Sequence, residues 1–247
     1  MLEGGSVLSF HVRPLSARCR QPLVSRAHIC FGISPFNGYF TPERLAHLAA
    51  WGLREFAGVH FFVPDAPAAY TLEAMGYPPE RARHKARRQG QYLRNKIRRA
   101  LTDLGVPDPD RLVLGSAELE GRRRYRRLLA EAERQFDRDI EFRTACLDAS
   151  RWVLDNRLPP GCTPTPAQLH CAVRYFLAEL PLFTDTAGIV DAGSSVFGYH
   201  QCIPFLHQLY RGELAWKPVT GQGFAVLTPQ GDPDGQNHLA RAEITSL

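Results

Sequence analysis

Two short apolar runs near the start of the chain flank a segment with helical periodicity. The first, residues 23–33, is rich in Val, Ile and Phe and leads into a Gly-x-Ser-Pro-x-Asn loop; the second, residues 58–65, has the sequence GVHFFVPD. Between them, Thr41 and Pro42 suit the cap and first turn of a helix. Its apolar residues recur at helical spacing: Leu45, Leu48, Ala49 and Leu53. This order predicts a parallel βαβ unit, with a site in the loops beyond the carboxyl ends of the strands.

Four further segments complete the predicted elements. Residues 111–115 indicate a third strand, and a long helix is expected from about 118 to 142. Thr165 suits the cap of a helix that we expect Pro181 to end. Residues 193–212 are typical of a loop that leads into a short helix.

The length and composition fit one large α/β domain. The chain has 247 residues, of which 44% are hydrophobic, enough for a substantial core. We predict a partly irregular N-terminal extension over 1–22, the domain over 23–216, and an irregular tail rich in Gly, Pro and Asp over 217–247. The first ten residues lack the pattern of a signal peptide, and no window reaches eighteen uninterrupted apolar residues. We therefore expect a cytoplasmic protein that does not bind membranes.

Positive charge is concentrated in one segment, residues 81–100. This segment holds nine of the chain's 30 basic residues and no acidic residue, so the rest of the chain has 21 basic residues against 25 acidic ones. The nine are Arg81, Arg83, Lys85, Arg87, Arg88, Arg94, Lys96, Arg98 and Arg99. Such asymmetry favours a polyanion as partner, nucleic acid being the usual one.

The same segment has the spacing of an amphipathic helix. Its inward stripe comprises Ala82, Ala86, Leu93, Ile97, Ala100, Leu101 and Leu104. A solvated surface helix is the alternative, but such helices usually mix both signs of charge to form i,i+4 pairs, which this segment does not offer internally. The sequence GRRRYRR over 121–127 is expected to add to the positive surface.

Motifs exclude several chemistries. The phosphate-binding GxxxxGK[ST] and GxGxxG patterns are absent, and the six cysteines form neither a CxxC pair nor a tight cluster with histidine, so we expect reduced thiols and no metal. Ser34 is not in a GxSxG elbow because Phe36 stands where glycine is required. Ser34 is then either a turn residue or a nucleophile. A serine needs a base or an activated ester, and an aminoacyl-tRNA combines such an ester with a polyanion.

Four motifs together resemble the cyclodipeptide synthases. They are CFGISPFNGYF over 30–40, Tyr125 in a basic helix, YFLAE over 175–179, and GYHQ over 198–201. They occur in the expected order and at the expected separations, over roughly residues 25–215. Asn37, Tyr199 and His200 resemble the branch of the family named after Asn, Tyr and His.

The resemblance implies a fold. It is α/β: a single Rossmann-like domain with a central, mostly parallel sheet flanked by helices, similar to the catalytic domain of class Ic aminoacyl-tRNA synthetases. The synthetase HIGH and KMSKS signatures are missing, which fits a family that uses amino acids already activated. The resemblance implies a monomer without cofactor or metal.

The resemblance also implies a ping-pong transfer from two aminoacyl-tRNAs. Ser34 accepts the first aminoacyl group, a second aminoacyl-tRNA extends it to a dipeptidyl-enzyme, and cyclisation releases a diketopiperazine. Tyr175 and Glu179 lie one helical turn apart, so they can hold one α-ammonium group. The expected site is Gly32, Ser34, Asn37, Tyr125, Tyr175, Glu179, Tyr199 and His200.

Substrate contacts follow from the same resemblance. The first side-chain pocket is expected near Cys30, Gly32, Phe62, Ser116, Leu182 and Phe197. Two phenylalanines there leave room for a small residue only. The second pocket is expected to involve Asn156, Arg157, His200 and Ile203. Its arginine and histidine favour an acidic or polar residue, and the basic helix over 81–100 is expected to hold the tRNA phosphates.

Two other functions are compatible with parts of the pattern. A non-catalytic RNA-binding domain would use the basic helix and leave Ser34 as a turn residue. A serine hydrolase or acyltransferase for small esters would use Ser34 but leave the charged helix without a role.

Overall fold

The computed structural model describes residues 9–159 and 161–230, and it contains one six-stranded sheet. The strands are β1 (Phe10–Pro14), β2 (His28–Gly32), β3 (Gly58–Phe62), β4 (Val113–Leu114), β5 (Ser195–Tyr199) and β6 (Gln222–Pro229). Their order in the sheet is β1-β6-β5-β2-β3-β4. Only β1 is antiparallel to its neighbour; the other pairs are parallel. The predicted fold, a mostly parallel sheet flanked by helices, is confirmed.

Helices connect the parallel strands. They are α1 (Arg20–Ser25), α2 (Pro42–Glu55), α3 (Ala68–Ala74), α4 (Pro79–Asp103), α5 (Ser116–Gly121), α6 (Arg123–Arg138), α7 (Ile140–Asp155), α8 (Pro166–Val190) and α9 (Pro204–Arg211). Two short 3₁₀ helices lie at Ala17–Cys19 and Pro109–Leu112.

Each face of the sheet is covered by a separate set of helices. On one face, α2 and α4 bury residues such as Leu48, Leu93 and Ile97 against the strands. On the other face, α6, α7, α8 and α9 form the larger core. All five residues of β2 are buried, as expected for a central parallel strand covered on both sides.

The βαβ unit of β2, α2 and β3 is confirmed, with smaller bounds for its first strand. The Thr41 side chain accepts a hydrogen bond from the Arg44 amide at 3.1 Å, so it caps α2 as predicted. The predicted strand over 23–33 begins only at His28. The residues before it end α1, and Arg26 adopts the left-handed conformation that turns the chain into the sheet.

The predicted helix over 118–142 is divided into α5, α6 and α7. Arg122 and Asp139 both have extended backbone angles, which interrupt the helical hydrogen bonds. The Asp139 side chain accepts from the amides of Glu141 and Phe142, so it caps α7.

Pro181 does not end α8, which continues to Val190. The break comes instead at Asp185, where the backbone angles are φ −160° and ψ 57°. The Asp185 carboxylate accepts from the Gly188 amide at 2.8 Å and thereby caps the last turn. The Tyr210 hydroxyl donates to the carbonyl of Phe183 at 2.7 Å, so a side chain satisfies a backbone acceptor next to the break.

Two strands lie where the sequence predicted irregular chain. The segment before α9 contains β5, a central strand, and the predicted tail from 217 contains β6. The sheet also extends into the predicted N-terminal extension, because β1 pairs with β6. The predicted boundaries at 23 and 216 are therefore too narrow. Residues 231–247 and 1–8 lie outside the described residues.

Candidate active site

The candidate site lies at the carboxyl edge of the sheet. Ser34 follows β2, and Tyr199 ends β5, which is the parallel neighbour of β2. Parallel neighbours end at the same edge, so these two side chains meet although 165 positions separate them. A cavity of about 910 Å³ opens beside them, and Tyr175 and Glu179 line it from α8.

Hydrogen bonds hold Ser34 in a polar cluster. Its Oγ lies 2.8 Å from the Tyr199 hydroxyl. The Asn37 side-chain amide lies 3.4 Å from that hydroxyl and 3.0 Å from Nε2 of His200. Because an amide nitrogen only donates, Asn37 donates to both partners, and the Tyr39 amide fixes its orientation by donating to Oδ1 at 3.0 Å. Four of the predicted site residues, Ser34, Asn37, Tyr199 and His200, are thus brought together.

Gly32 is required for the close packing beneath this cluster. A Cβ atom at that position would lie 2.8 Å from the Phe197 ring and 3.2 Å from the Tyr199 ring. Any side chain would therefore force the Phe197 ring to move and would press on the Tyr199 ring. The predicted importance of Gly32 has this steric basis.

The Ser34 loop contains a backbone conformation that is rare for a bulky residue. Phe36 has φ 62°, in the left-handed region that favours glycine. Its ring packs with Tyr175 against small residues of α3 and α4, and the Lys85 ammonium lies 5.7 Å from the ring centroid. The basic helix α4 therefore touches the loop that carries Ser34.

Tyr175 and Glu179 lie one turn apart on α8 and face the cavity together. Burial raises the pKa of Glu179 to about 8, although its interaction with Tyr175 lowers it. Burial is also the main reason that the pKa of Tyr199 rises to about 12 and that of Tyr175 rises well above its ordinary value. At neutral pH the phenols keep their protons, so they act as hydrogen-bonding groups rather than as bases.

Tyr125 lies behind the cavity rather than in its wall. It is 6% exposed, and its hydroxyl donates to the carbonyl of Ala178 at 3.0 Å. Burial raises its pKa, with a smaller contribution from Glu179. The resemblance predicts that Tyr125 contacts the reacting groups. In the structure, its hydroxyl instead supports the backbone next to Glu179.

The predicted first pocket is only partly open. Gly32 and Phe197 line the cavity, whereas Cys30, Phe62 and Leu182 are fully buried in the core beside it. Ser116 belongs to another cluster, since its Oγ donates to the Asp65 carboxylate at 2.6 Å. The ring centroids of Phe62 and Phe197 lie 6.5 Å apart, so the two rings are in contact edge to face.

Three of the predicted second-pocket residues line the cavity: Asn156, Arg157 and Ile203. His200 does not, because it is bonded to Asn37 and stacks on Tyr39 at 4.0 Å. The Asn156 amide donates to the carbonyl of Trp152 at 2.7 Å, which leaves its oxygen for a ligand.

Much of the cavity wall was not predicted. It is apolar and comes from several elements, with Ala149, Val153, Phe176, Phe183, Leu206 and Phe224 among its residues. The helical spacing of Phe176 and Phe183 with Glu179 is the signal that could have placed them on this wall.

The nine arginines and lysines of α4 divide into three groups. Arg94, Arg98 and Arg99 face carboxylates of Glu118, Asp110 and Asp103. Among the described residues, four arginines have no carboxylate partner: Arg81, Arg83, Arg87 and Arg88. Lys85 and Lys96 lie against the rings of Tyr77 and Tyr92. The expectation of an unpaired basic helix thus holds for its first half only.

The arginines at the start of α6 contribute less positive surface than predicted. Arg124 is paired with the buried carboxylate of Asp185 at 2.6 Å, and Arg122 donates to the carbonyl of Ile189 at 3.2 Å. Both fix α6 to the end of α8. No helix within 9–159 and 161–230 is long and apolar enough to cross a membrane.

These features define a site suited to acyl transfer in an α/β protein. A serine at a strand end is bonded to a neutral tyrosine, and a carboxyl group with raised pKa lies in the same cavity. An activated ester fits such a site, because the serine can attack it while the carboxyl group handles a proton.

A sequence model of the cyclodipeptide synthases matches residues 10–229. The cyclo(L-tyrosyl-L-tyrosyl) synthase of Mycobacterium tuberculosis is 33% identical over 224 residues, which cover 91% of this chain and 78% of that protein. The crystal structure of a cyclodipeptide synthase from Bacillus thermoamylovorans matches with a TM-score of 0.84 at 28% identity, covering 89% of this chain and 96% of the other. The chain belongs to the cyclodipeptide synthase family.

A second solved structure connects the fold to aminoacyl-tRNA synthetases. This Mycobacterium tuberculosis protein matches with a TM-score of 0.79 at 32% identity, covering 90% of this chain and 94% of the other. That structure demonstrates that cyclodipeptide synthetases are related to type I tRNA synthetases. The predicted family and fold relation are confirmed, and the chain is an enzyme. The alternative of a non-catalytic RNA-binding domain, in which the basic helix alone provides the function, is therefore excluded.

Proposed function

We propose that the enzyme forms its cyclic dipeptide from two aminoacyl-tRNAs by a ping-pong mechanism on Ser34. The observation that carries this proposal is the 2.8 Å contact between Ser34 Oγ and the Tyr199 hydroxyl in a cavity that Tyr175 and Glu179 also line. The cations of α4, of which Lys85 lies near the Phe36 ring of the same loop, supply the second requirement, a surface for RNA phosphates.

In the first step, Ser34 Oγ attacks the ester carbon of the first aminoacyl-tRNA. A bond from that carbon to Oγ forms, the bond to the ribose oxygen breaks, and the serine proton ends on the ribose oxygen. Tyr199 orients the hydroxyl and relays the proton. It does not act as a base, because its pKa is raised to about 12.

Glu179 then controls the α-amino group of the Ser34-bound residue. An α-amino group has an ordinary pKa of about 8, and the pKa of the Glu179 carboxyl is raised to about 8. The two groups can therefore exchange a proton at little cost, and an amine without its extra proton is the form that attacks an ester. Tyr175 shares the helix face and holds the same group.

The second half of the reaction forms two amide bonds. The freed amine attacks the ester carbon of the second aminoacyl-tRNA, and the second tRNA leaves with the proton. The amine of the resulting dipeptidyl-enzyme attacks the Ser34 ester carbon. That closes the diketopiperazine ring and returns a proton to Ser34 Oγ.

Substrate preference follows from the filled and open parts of the site. Because Phe197 lines the cavity and the Phe62 ring packs behind it, we propose a small first residue. Arg157 lines the cavity and forms no ion pair within the described residues, so we propose an acidic or polar second residue. Products built only from large apolar residues would contradict both assignments.

Three further properties complete the proposal. Asn37, Tyr199 and His200 support membership of the Asn-Tyr-His branch, because Asn37 bonds both other residues. The enzyme works in the cytoplasm, where charged tRNAs are available. It works as a monomer without cofactor, since Ser34, Tyr175, Glu179 and Tyr199 come from one chain.

The test uses purified enzyme with charged tRNAs and mass spectrometry. Wild type should give cyclic dipeptides and an adduct on Ser34, and Ser34→Ala should give neither. Ser34→Ala should still bind tRNA with unchanged salt dependence, which makes it the matched control for folding. Cyclic dipeptides formed by the Ser34→Ala variant, or by wild type without tRNA, would overturn the mechanism.

A further inference from the structure

Helical geometry places part of the α4 charge on one stripe. Starting from Arg81, steps of three and four residues give Arg81, Lys85, Arg88, Tyr92, Lys96 and Arg99. We call these six residues the cationic stripe. The remaining cations of α4 lie on other faces, where Arg94 and Arg98 are bound to carboxylates of distant elements.

The cationic stripe begins at the cavity and runs away from it. Lys85 lies against Phe36, which lines the cavity, and Lys96 approaches the carbonyl of Phe40 at 3.5 Å. Both contacts are to the loop that carries Ser34. An RNA whose 3′ end enters the cavity therefore meets this stripe first.

Tyr92 is the one aromatic member of the stripe, and it is 54% exposed. The Lys96 ammonium lies 4.3 Å from the centroid of its ring, which covers one face and leaves the rest open. An exposed aromatic ring among cations is the combination that binds single-stranded nucleic acid, through stacking beside phosphate contacts.

The position of Tyr92 fits a base near the 3′ end. Tyr92 follows Lys85 by seven positions, which corresponds to a rise of about 10 Å along the helix axis. Stacked nucleotides rise about 3.4 Å each, so this distance equals about three nucleotides. The strand that carries the amino acid in a tRNA is unpaired over such a length.

We propose that Tyr92 is a stacking platform for an unpaired base of the 3′ strand of the aminoacyl-tRNA. The proposal rests on the proposed use of aminoacyl-tRNA and adds a contact of a different chemistry to the phosphate-binding cations. Stacking on Tyr92 holds the 3′ strand in line with the cavity, and Lys96 meets the adjacent phosphate.

The test measures binding of two RNA hairpins to the full chain over a range of salt. One hairpin has the acceptor stem with its unpaired 3′ strand, and the other is trimmed to a blunt end. The variants are Tyr92→Ala and Tyr92→Phe, with Gln91→Ala as the matched control, an exposed neighbour outside the stripe. Because Tyr92 is exposed, thermal melting should confirm unchanged folding.

Tyr92→Ala should weaken binding of the first hairpin about tenfold and leave the blunt hairpin unaffected. Tyr92→Phe and Gln91→Ala should remain within about twofold of wild type. The slope of log Kd against log salt should not change in Tyr92→Ala, whereas Arg88→Ala should reduce it by about one.

Equal losses for both hairpins, a changed salt slope, or wild-type binding by Tyr92→Ala would each overturn the inference. These results leave the proposed function intact if wild type still converts charged tRNAs to cyclic dipeptides. A wild type that makes no product from charged tRNAs would refute the proposed function itself, and the inference with it.

Discussion

Polar clusters lie at both ends of the parallel sheet, and the cluster at the carboxyl end opens to a cavity. At the carboxyl end, Ser34 and Tyr199 face the cavity of about 910 Å³. At the amino end, Nδ1 of His28 lies 2.7 Å from Ser195 Oγ, and its Nε2 lies 2.8 Å from Nδ1 of His60. His28 is 2% exposed and Ser195 is fully buried. Similar polar side chains thus face a cavity at the carboxyl end and contact one another at the amino end.

The difference also appears in the charge states. Burial lowers the pKa of His28 to about 3 and that of His60 to about 4, so both rings are neutral at physiological pH. Burial raises the pKa of Glu179 to about 8, where it can exchange a proton with an amine. A pKa shifted by burial therefore does not by itself identify an active site. The group with the shifted pKa must also face a cavity that a ligand can enter.

The largest expected effect is on catalysis at the carboxyl end. Glu179→Gln keeps the size of the side chain but cannot accept a proton, so we expect cyclic dipeptide formation to fall at least about 100-fold. Intact-mass spectrometry should still detect the aminoacyl group on Ser34. The double variant with Ser34→Ala is the control and should carry no adduct. A Glu179→Gln enzyme as fast as wild type would remove Glu179 from the mechanism.

The next effect is on stability at the amino end. His28→Ala leaves Ser195 and His60 without their partner, so we expect the free energy of unfolding to fall by about 2–3 kcal/mol in urea titrations. The rate per folded enzyme should stay within about twofold of wild type. His11→Ala, at an exposed position of β1, is the matched control with no expected loss. A tenfold loss of activity in folded His28→Ala would break the distinction between the two ends.

A smaller effect is expected in the Ser34 loop. Phe36→Gly relieves the left-handed conformation but removes the ring that packs on α3 and α4. We expect a rate loss of about tenfold with little change in the melting temperature, and a smaller loss for Phe36→Leu, which keeps an apolar side chain. Full activity in Phe36→Gly would show that the ring does not hold Ser34 in place.

The last effects are in the pH dependence of stability, and they have opposite signs at the two ends. Between pH 4.5 and about 8, unfolded chains release the Glu179 proton while folded chains keep it, so the free energy of unfolding falls as pH rises. Between pH 6.5 and about 3, unfolded chains protonate His28 while folded chains do not, so stability falls as pH falls.

Thermal melting over pH should separate these contributions. Glu179→Gln should flatten the decline toward pH 8, and His28→Ala should flatten the acid decline, each by a few degrees. The assigned charge states would be contradicted if Glu179→Gln changed the acid decline and His28→Ala changed the decline toward pH 8.

The sequence predicts those parts of the molecule that depend on local pattern. The unit of β2, α2 and β3 has a capped helix between two apolar runs, and the inward stripe of α4 has clear periodicity. β5 was missed because GSSVFGY is short and rich in glycine and serine, and nothing local shows that it pairs with β2. Its burial is decided by tertiary structure.

The candidate site shows the same limit. Ser34, Tyr199, Tyr175 and Glu179 were predicted from motifs, and the fold brings them to one cavity. The apolar wall was not predicted, because its residues come from separate elements whose approach depends on the fold. The carboxylate partners of Arg94 and Arg98 lie in α5 and in the 3₁₀ helix Pro109–Leu112, outside α4, so the pattern of the helix itself does not show that these two cations are paired.

The pairing of β1 with β6 has a consequence for the order of folding. Phe10 is opposite Pro229, so the first and last described strands pair with each other at one edge of the sheet. Contacts between residues so far apart in sequence are slow to form, and both strands must have left the ribosome before this pair exists. β5, which holds Tyr199, lies between β2 and β6 and gains its second neighbour only then. A chain that has not yet added β6 therefore lacks a neighbour of β5 and the Phe224 side chain that lines the cavity.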